Sequence, residues 1–272
     1  MPGHASDYVL RELVTAEDHA ACLEIQRATW GDSFEDAVPP IIQRLVRQMG
    51  GVTAGAFRPS GELAGFVFGI TGLYRGELAH WSHLLAVRPE VRDHGLGYRL
   101  KLFQRELLLA LGVRKMYWTF DPLVARNANL NLNRLGARVD SYHRDYYGTG
   151  DHSVLFQGLG TDRFIVRWEL DSAAVAARLA GQPPALPADL AAAPVVDAGT
   201  VAIPGGGPVR IEIPADIHAE EKLHPGSGAR WRAATRAAFE AHFAAGYQIV
   251  GLLRDAEPEA RRHYALCSPS TV

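Results

Sequence analysis

Short apolar runs bounded by turn residues predict strands at Tyr8–Leu13, Gly51–Phe57, Glu62–Ile70, Trp81–Val87 and Val113–Phe120. Between them, apolar residues recur at spacings of three and four, the helical period. Ala21, Cys22, Ile25 and Ala28 mark one helix, opened by Thr15 with Asp18 three residues on, the geometry of a capping box. Pro39 and Pro40 open a second helix carrying Ile41, Ile42, Leu45, Val46 and Met49. Tyr98–Leu111 is a long amphipathic helix stopped at Gly112, and Asn127–Leu135 a short one closed by Gly136. Pro59-Ser60-Gly61 turns a hairpin, and Ala137–Tyr142 and Val154–Gly158 read as late strands.

Beyond about residue 170 the pattern changes. Ala173–Ala202 is mostly alanine and proline and reads as a short helix followed by a linker over about 180–205. Structure resumes with a strand at Val209–Ile213, a helix from about His218 to Ala245 interrupted near Pro225-Gly226, and a last strand at Tyr247–Leu253. Fixed-period repeats are absent.

Composition narrows the class. The chain has 272 residues, 47% hydrophobic and 21% charged, a globular profile that excludes a disordered tail, a collagen-like rod or a disulfide-stapled mini-protein. Its formal net charge of −2 gives no global pull toward nucleic acid or an anionic membrane. Cys22 and Cys267 form no metal spacing and no disulfide framework, and no apolar run reaches the ~20 residues of a membrane span. A secretory signal pattern is also lacking. The expectation is a cytoplasmic protein with neither a nucleic-acid nor a membrane partner and no metal centre.

The chemistry concentrates in strand, loop and helix at 81–111, around Arg92-x-x-Gly95-x-Gly97. Loop and first-turn N–H groups there lack internal partners, and glycines let backbone approach an anion, an arrangement suited to a pyrophosphate. A phosphate loop of the ATPase kind needs Gly-Lys-Ser/Thr, which does not follow Gly97. A dinucleotide fingerprint needs a third glycine, where Leu100 stands.

What remains resembles the coenzyme A loop of the GNAT (GCN5-related) N-acetyltransferase superfamily. The order of elements over roughly residues 8–158 is similar to that family's, and Asn127–Ala137 occupies the place of its second CoA-side motif. The likeness is closer to a subgroup with a C-terminal extension that includes amino-acid N-acyltransferases. It rests on His83-Leu84-Leu85-Ala86-Val87, Gly95-Leu96-Gly97-Tyr98, Trp118-Thr119-Phe120-Asp121-Pro122, Asn127-Ala128, Tyr146-Tyr147-Gly148, and Trp231-Arg232 to Gly246-Tyr247.

The resemblance implies an α/β fold (a mixed α+β sheet) with a splayed central strand pair in residues 1–160 and a smaller α/β extension in 161–272. It implies transfer of an acyl group from acetyl-CoA or succinyl-CoA to the amine of a small molecule, with an amino acid as the expected acceptor, and it allows a homodimer. The alternative is a non-catalytic acyl-CoA sensor. CoA contacts are expected at Leu85, Ala86 and Val87 on the splayed strand, at Arg92, Asp93, His94, Gly95, Leu96, Gly97, Tyr98 and Arg99 on the loop and helix start, and at Asn127.

Strand alternation puts His83, Leu85 and Val87 on one face, which makes His83 the expected general base, with His80 and Glu77 as runners-up. The tyrosine that many family members use as acid corresponds here to Leu132. Tyr147, Tyr142 or Tyr146 stands in as candidate acid, or the thiolate leaves unassisted. Asp121 is placed to orient a partner or to cap the turn that follows it.

Overall fold

The computed structural model describes residues 8–32, 34–92, 94–148, 159–184, 186, 189–196, 207–254 and 261–267. The expected strand at Val154–Gly158, the loop residue Asp93 and much of the expected linker lie outside the described residues. By contact the chain divides into two units. The first comprises 1–118, 152–155 and 169–171, the second 119–151, 156–168 and 172–272. This division does not coincide with the boundary expected at residue 160.

The first unit holds β1 (Val9–Glu12), α1 (Ala16–Trp30), α2 (Pro40–Gln48), β2 (Val52–Phe57), β3 (Leu63–Tyr74), β4 (Glu77–Val87) and α3 (Leu96–Ala110), with β5 (Lys115–Phe120) beginning in it. The larger sheet is mixed. Its order is β1-β2-β3-β4-β5-β7-β6, where β6 (Arg138–His143) and β7 (Arg163–Glu169) come later in the chain. Pairing through β4 is antiparallel, and β4 with β5 is parallel.

Local chemistry fixes the ends. The capping box at Thr15 and Asp18 forms as expected, and Asp18 also accepts the Val14 N–H and pairs with Arg11 at 2.7 Å. The Arg11 hydrogen bond holds the Asp18 carboxyl well below the ordinary carboxylate range. Residues 71–80, between the strands expected at Glu62–Ile70 and Trp81–Val87, extend both strands to a tight turn. Arg75 (φ 53°) and Gly76 (φ 83°) are both left-handed, the requirement of the primed hairpin turns.

One face of this sheet packs on α1. Leu84 and Ala86 of β4 join Phe66 and Phe68 of β3 and Cys22 and Ile25 of α1 in one apolar core. The opposite face meets α3, where Lys101 and Gln104 bond Ser82 and His80 of β4. Even-numbered residues of β4 therefore change face between Ser82 and Leu84. The cause is a bulge: Phe68 pairs with Leu84 but Gly69 pairs with Ser82, so His83 is an extra residue. The expectation that His83 shares a face with Leu85 is corrected by this slip. His83 lies edge-on to Phe68 at 6.3 Å, whereas a Cβ on Gly97 of α3 would touch Leu85.

The second unit continues with α4 (Ala125–Ala128), a π-helical turn (Asn129–Arg134), α5 (Ala173–Leu179), β8 (Val195–Val196), β9 (Val209–Ile213), α6 (Ile217–Leu223), α7 (Ser227–Ala244), β10 (Gln248–Arg254) and β11 (Arg262–Cys267). Its own sheet runs β10-β11-β9-β8. Phe164, Phe239 and Tyr264 centre its core, with mutual ring distances of 4.9–5.5 Å. The interruption near Gly226 appears as expected, since Gly226 takes φ 84° between α6 and α7. The expected linker is corrected in part: Leu190 and Val196 are buried, and β8 pairs with β9. Strands β7 and β11 were not legible in the sequence pattern.

Gly69 is the position least able to accept a side chain in this arrangement. A Cβ there would lie 2.2 Å from His80 Nε2 and 2.6 Å from the Trp81 carbonyl oxygen. Gly69→Ala is expected to destabilise the protein by about 1–3 kcal/mol or more, read by urea unfolding. A midpoint equal to the parent's would contradict this packing.

Candidate active site

The ladder between β4 and β5 is short. It pairs only His80 with Met116 and Trp81 with Tyr117. From Ser82 to Val87, β4 pairs with β3 on one side and has no registered partner in β5 on the other. A strand edge opened in this way offers backbone donors and acceptors to an extended ligand. Leu85, Ala86 and Val87 stand at the end of that edge.

The loop beyond it is pinned by its own backbone. The Arg88 N–H donates to the Ala64 carbonyl at 2.9 Å, and Pro89–Val91 makes one 3-10 turn whose Val91 is buried. Arg92 folds back, its Nε 3.2 Å from the Val87 carbonyl oxygen. Gly95 then takes the left-handed conformation at φ 74° and starts α3 with no side-chain cap. The first helical bond runs from the Arg99 N–H to the Gly95 carbonyl, so the helix itself supplies no acceptor to the Leu96 and Gly97 N–H groups. A Cβ on Gly95 would meet nothing within 4 Å. The Leu96 side chain is buried while His94 is exposed. Arg99 donates from Nη2 to the Tyr8 carbonyl at 3.1 Å, and its buried Nη1 has no partner.

His83 is half-buried against Phe68. Burial lowers its pKa, opposed by the negative charge of Asp36. The ring is therefore neutral at neutral pH and able to accept a proton.

The runners-up are engaged by other partners. His80 is fully buried within a directed chain of donors. Lys101 Nζ donates to Ser82 Oγ at 2.7 Å, and Ser82 donates to Gln104 Oε1 at 3.0 Å. Gln104 Nε2 then donates to His80 Nε2 at 2.9 Å, leaving His80 Nδ1 to donate to Thr71 Oγ1 at 2.9 Å. A protonated His80 would set two donors against each other at Gln104. Burial, with Lys101 nearby, pushes His80 down to about 3. Lys101 itself lies 4.1 Å from the Trp118 ring, and burial pushes it down to about 7. Glu77 is bound to Lys115 at the surface.

In the second unit, Tyr147 is half-buried, with its hydroxyl 2.9 Å from Thr119 Oγ1 and the Arg163 guanidinium 5.2 Å over its ring. Tyr142 donates to Asp162, and burial raises its pKa far above the ordinary phenol range, which removes it as an acid. Tyr146 is exposed. Asp121 does cap its turn, accepting the Leu123 N–H at 2.8 Å, and it also pairs with Arg232 at 2.7 Å and Arg163 at 3.5 Å. Asn127 lies on α4, its N–H on the Val124 carbonyl at 2.9 Å, and Leu132 is buried in the π-helical turn.

Sequence reasoning missed the Lys101 chain and the arginines of Asp121. One signal was available: Lys101 and Gln104 sit at i,i+3 on the apolar stripe of α3, with Leu100 and Leu108. Among the described residues, no group of three or more His, Cys, Asp or Glu could hold a metal ion, and no helix is long and apolar enough to cross a membrane.

No protein-family model and no curated protein matches this chain. Among solved structures it is similar to a GNAT superfamily phosphinothricin acetyltransferase from Sinorhizobium meliloti in complex with AcCoA, at 18% identity and TM-score 0.48, over 59% of this chain and 87% of that one. It is also similar to the ribosomal-protein-S18-alanine N-acetyltransferase from Escherichia coli, at 18% identity and TM-score 0.47, over 61% of this chain and 96% of that one. An N-acetyltransferase from Staphylococcus aureus Mu50 matches at 13% identity and TM-score 0.47, over 60% and 99% of the two chains.

Burial of Lys101 has a measurable consequence. Its pKa falls from 10.5 in the unfolded chain to about 7 in the fold, so between these values the unfolded state binds the extra proton. Stability supplied by this position therefore rises with pH above 7. The stability of the parent relative to Lys101→Met is expected to increase steadily from pH 7 to pH 9 in urea titrations. A pH-independent difference would place the Lys101 ammonium in contact with water.

Proposed function

We propose that the chain is a GNAT-type N-acyltransferase that moves an acetyl or succinyl group from acyl-CoA to the amine of a small molecule, with an amino acid as the acceptor class. The observation that carries this reading is the β4 edge, without a β5 partner beyond Trp81 among the described residues, followed by the loop at 88–92 and the uncapped helix start at 94–97. An extended amide-bearing arm fits the first, and a pyrophosphate fits the second. Leu85, Ala86 and Val87 would hold the pantetheine arm through backbone groups. The N–H groups of Leu96 and Gly97 would face the pyrophosphate, with Arg92 at the loop surface. A cytoplasmic location belongs to the same reading.

The residue chemistry follows from these placements. His83, neutral at neutral pH, takes the proton from the attacking amine. The amine nitrogen forms a bond to the thioester carbon, the C–S bond breaks, and the electron pair leaves on the CoA sulfur. A thiol is acidic enough (about 8.5) for the thiolate to depart without a dedicated acid. This accords with Leu132 at the position where the family resemblance implies tyrosine, and with a Tyr147 hydroxyl already engaged by Thr119.

Calorimetry with acetyl-CoA and succinyl-CoA, followed by thiol release with a panel of amino acids, tests the proposal. His83→Gln is expected to keep acyl-CoA affinity and lose about 10²–10⁴-fold in turnover. Because burial lowers the His83 pKa, the acidic limb of the parent's rate profile should fall below pH 6.5. Full turnover in His83→Gln would remove the base assignment. Binding without turnover on any amine would favour the sensor, and absence of acyl-CoA binding would overturn both readings.

A further inference from the structure

The α1 side of the larger sheet changes character past Phe68 and Leu84. Up to these residues it is apolar core. Toward the turn at 75–76, strand alternation keeps Ile70, Gly72 and Tyr74 of β3 on the side of Phe68. Their direct partners in β4 are Trp81, Ala79 and Glu77. Tyr117 of β5 pairs with Trp81 and shares this side. The Tyr74 ring lies 5.7 Å from the Trp81 ring and 4.7 Å from the Tyr117 ring. Tyr117 is buried, Tyr74 and Trp81 are half-buried, and Ile70 and Gly72 are exposed.

Gly72 is the member of this face that the strand itself does not explain. Its backbone is that of an ordinary strand, not left-handed, and a Cβ there would meet nothing within 4 Å. Neither conformation nor crowding calls for glycine, and glycine weakens a strand interior. What it does provide is room for another molecule to approach the backbone. Its partner Ala79 is buried and nearly as small. A recess therefore lies over Gly72, between the side chains of Ile70 and Tyr74 along β3 and beside Trp81.

Position along β4 ties this recess to the chemistry. His83 lies on the same side as Trp81, two residues on and about 6.6 Å along the strand. In the acyl-transfer reading, the acyl chain reaches His83 from the loop end, past Val87 and Leu85. The acceptor amine also meets His83, which leaves the Trp81 side for the body of the acceptor. Charge narrows its class. The Arg75 guanidinium stands over the Tyr74 ring at 5.0 Å, and Glu77 is bound by Lys115. A cation already on that ring opposes a second one. A flat uncharged ring instead gains tilted or offset contact with Trp81 and Tyr74.

We infer that Ile70, Gly72, Tyr74 and Trp81 form the subsite for the acceptor's side chain, and that the acceptor is an amino acid whose side chain is an uncharged aromatic ring. The ring lies over Gly72 and against Trp81, with the amine directed to His83. This inference rests on the acyl-transfer reading and adds the substrate class to it.

The test is calorimetry on the full chain saturated with CoA and titrated separately with phenylalanine, leucine, lysine and alanine. Phenylalanine is expected to bind more tightly than leucine and at least about ten-fold more tightly than lysine or alanine. Gly72→Leu fills the recess from a backbone that leucine adopts without strain. It should weaken phenylalanine binding at least about ten-fold, with CoA affinity and the thermal midpoint near the parent's. Trp81→Leu, the second variant, should abolish the preference for phenylalanine over leucine. The inference is overturned if phenylalanine binds no better than the other three, if Gly72→Leu binds it as the parent does, or if Trp81→Leu keeps the preference. Failure of CoA itself to bind is a different result: it overturns the acyl-transfer reading, and this inference with it.

Discussion

Strand β4 carries one residue more than β3 can pair with, and that residue is His83. A sheet has a strict period of two, so one inserted residue exchanges the faces of everything beyond it. Here the exchange separates two environments that a regular strand could not combine. Before it, His80 and Ser82 face α3 and need polar partners. After it, Leu84 and Ala86 enter the apolar core against α1, and Leu85 turns to the start of α3. His83 stays beside Phe68 on the face of that core.

The polar stretch on the α3 side follows from this geometry and constrains it in return. Every hydrogen bond from Lys101 through Ser82 and Gln104 to His80 and Thr71 has one donor and one acceptor. A buried chain of this kind is favourable only when complete, because each unmet group would carry its full desolvation cost. Its members reach β4 at its paired section, and Lys101 also approaches Met116 and Trp118 of β5. The ladder to β5 ends at that level. The polar contacts thus sit where the strands are still paired, and beyond Trp81 no β5 partner of β4 is registered among the described residues.

Arginine serves a different purpose in the second unit. Asp121 pairs with Arg232 and Arg163, and Asp162 and Asp145 pair with Arg236, so each of these arginines faces a carboxylate. With only Lys101, Lys115 and Lys222 as alternatives, arginine supplies nearly every cation of this chain.

Much of the architecture was legible in the sequence because it depends on local rules. The capping box at Thr15, the helix start after Gly95, the stop at Gly112 and the break at Gly226 are set by residues within a few positions of each other. The glycine spacing after an apolar strand likewise marked the loop at 92–97. Facts that depend on pairing partners were not legible. The 71–80 hairpin, β7 and β11 are among these, because their patterns are completed only by neighbouring strands. The face of His83 is another: alternation is a property of one strand, but a bulge is a mismatch between two. Sequence alone determined which residues could turn, cap and carry charge; the tertiary structure decided which of them meet, since burial and hydrogen-bond partners exist only once distant segments are in contact.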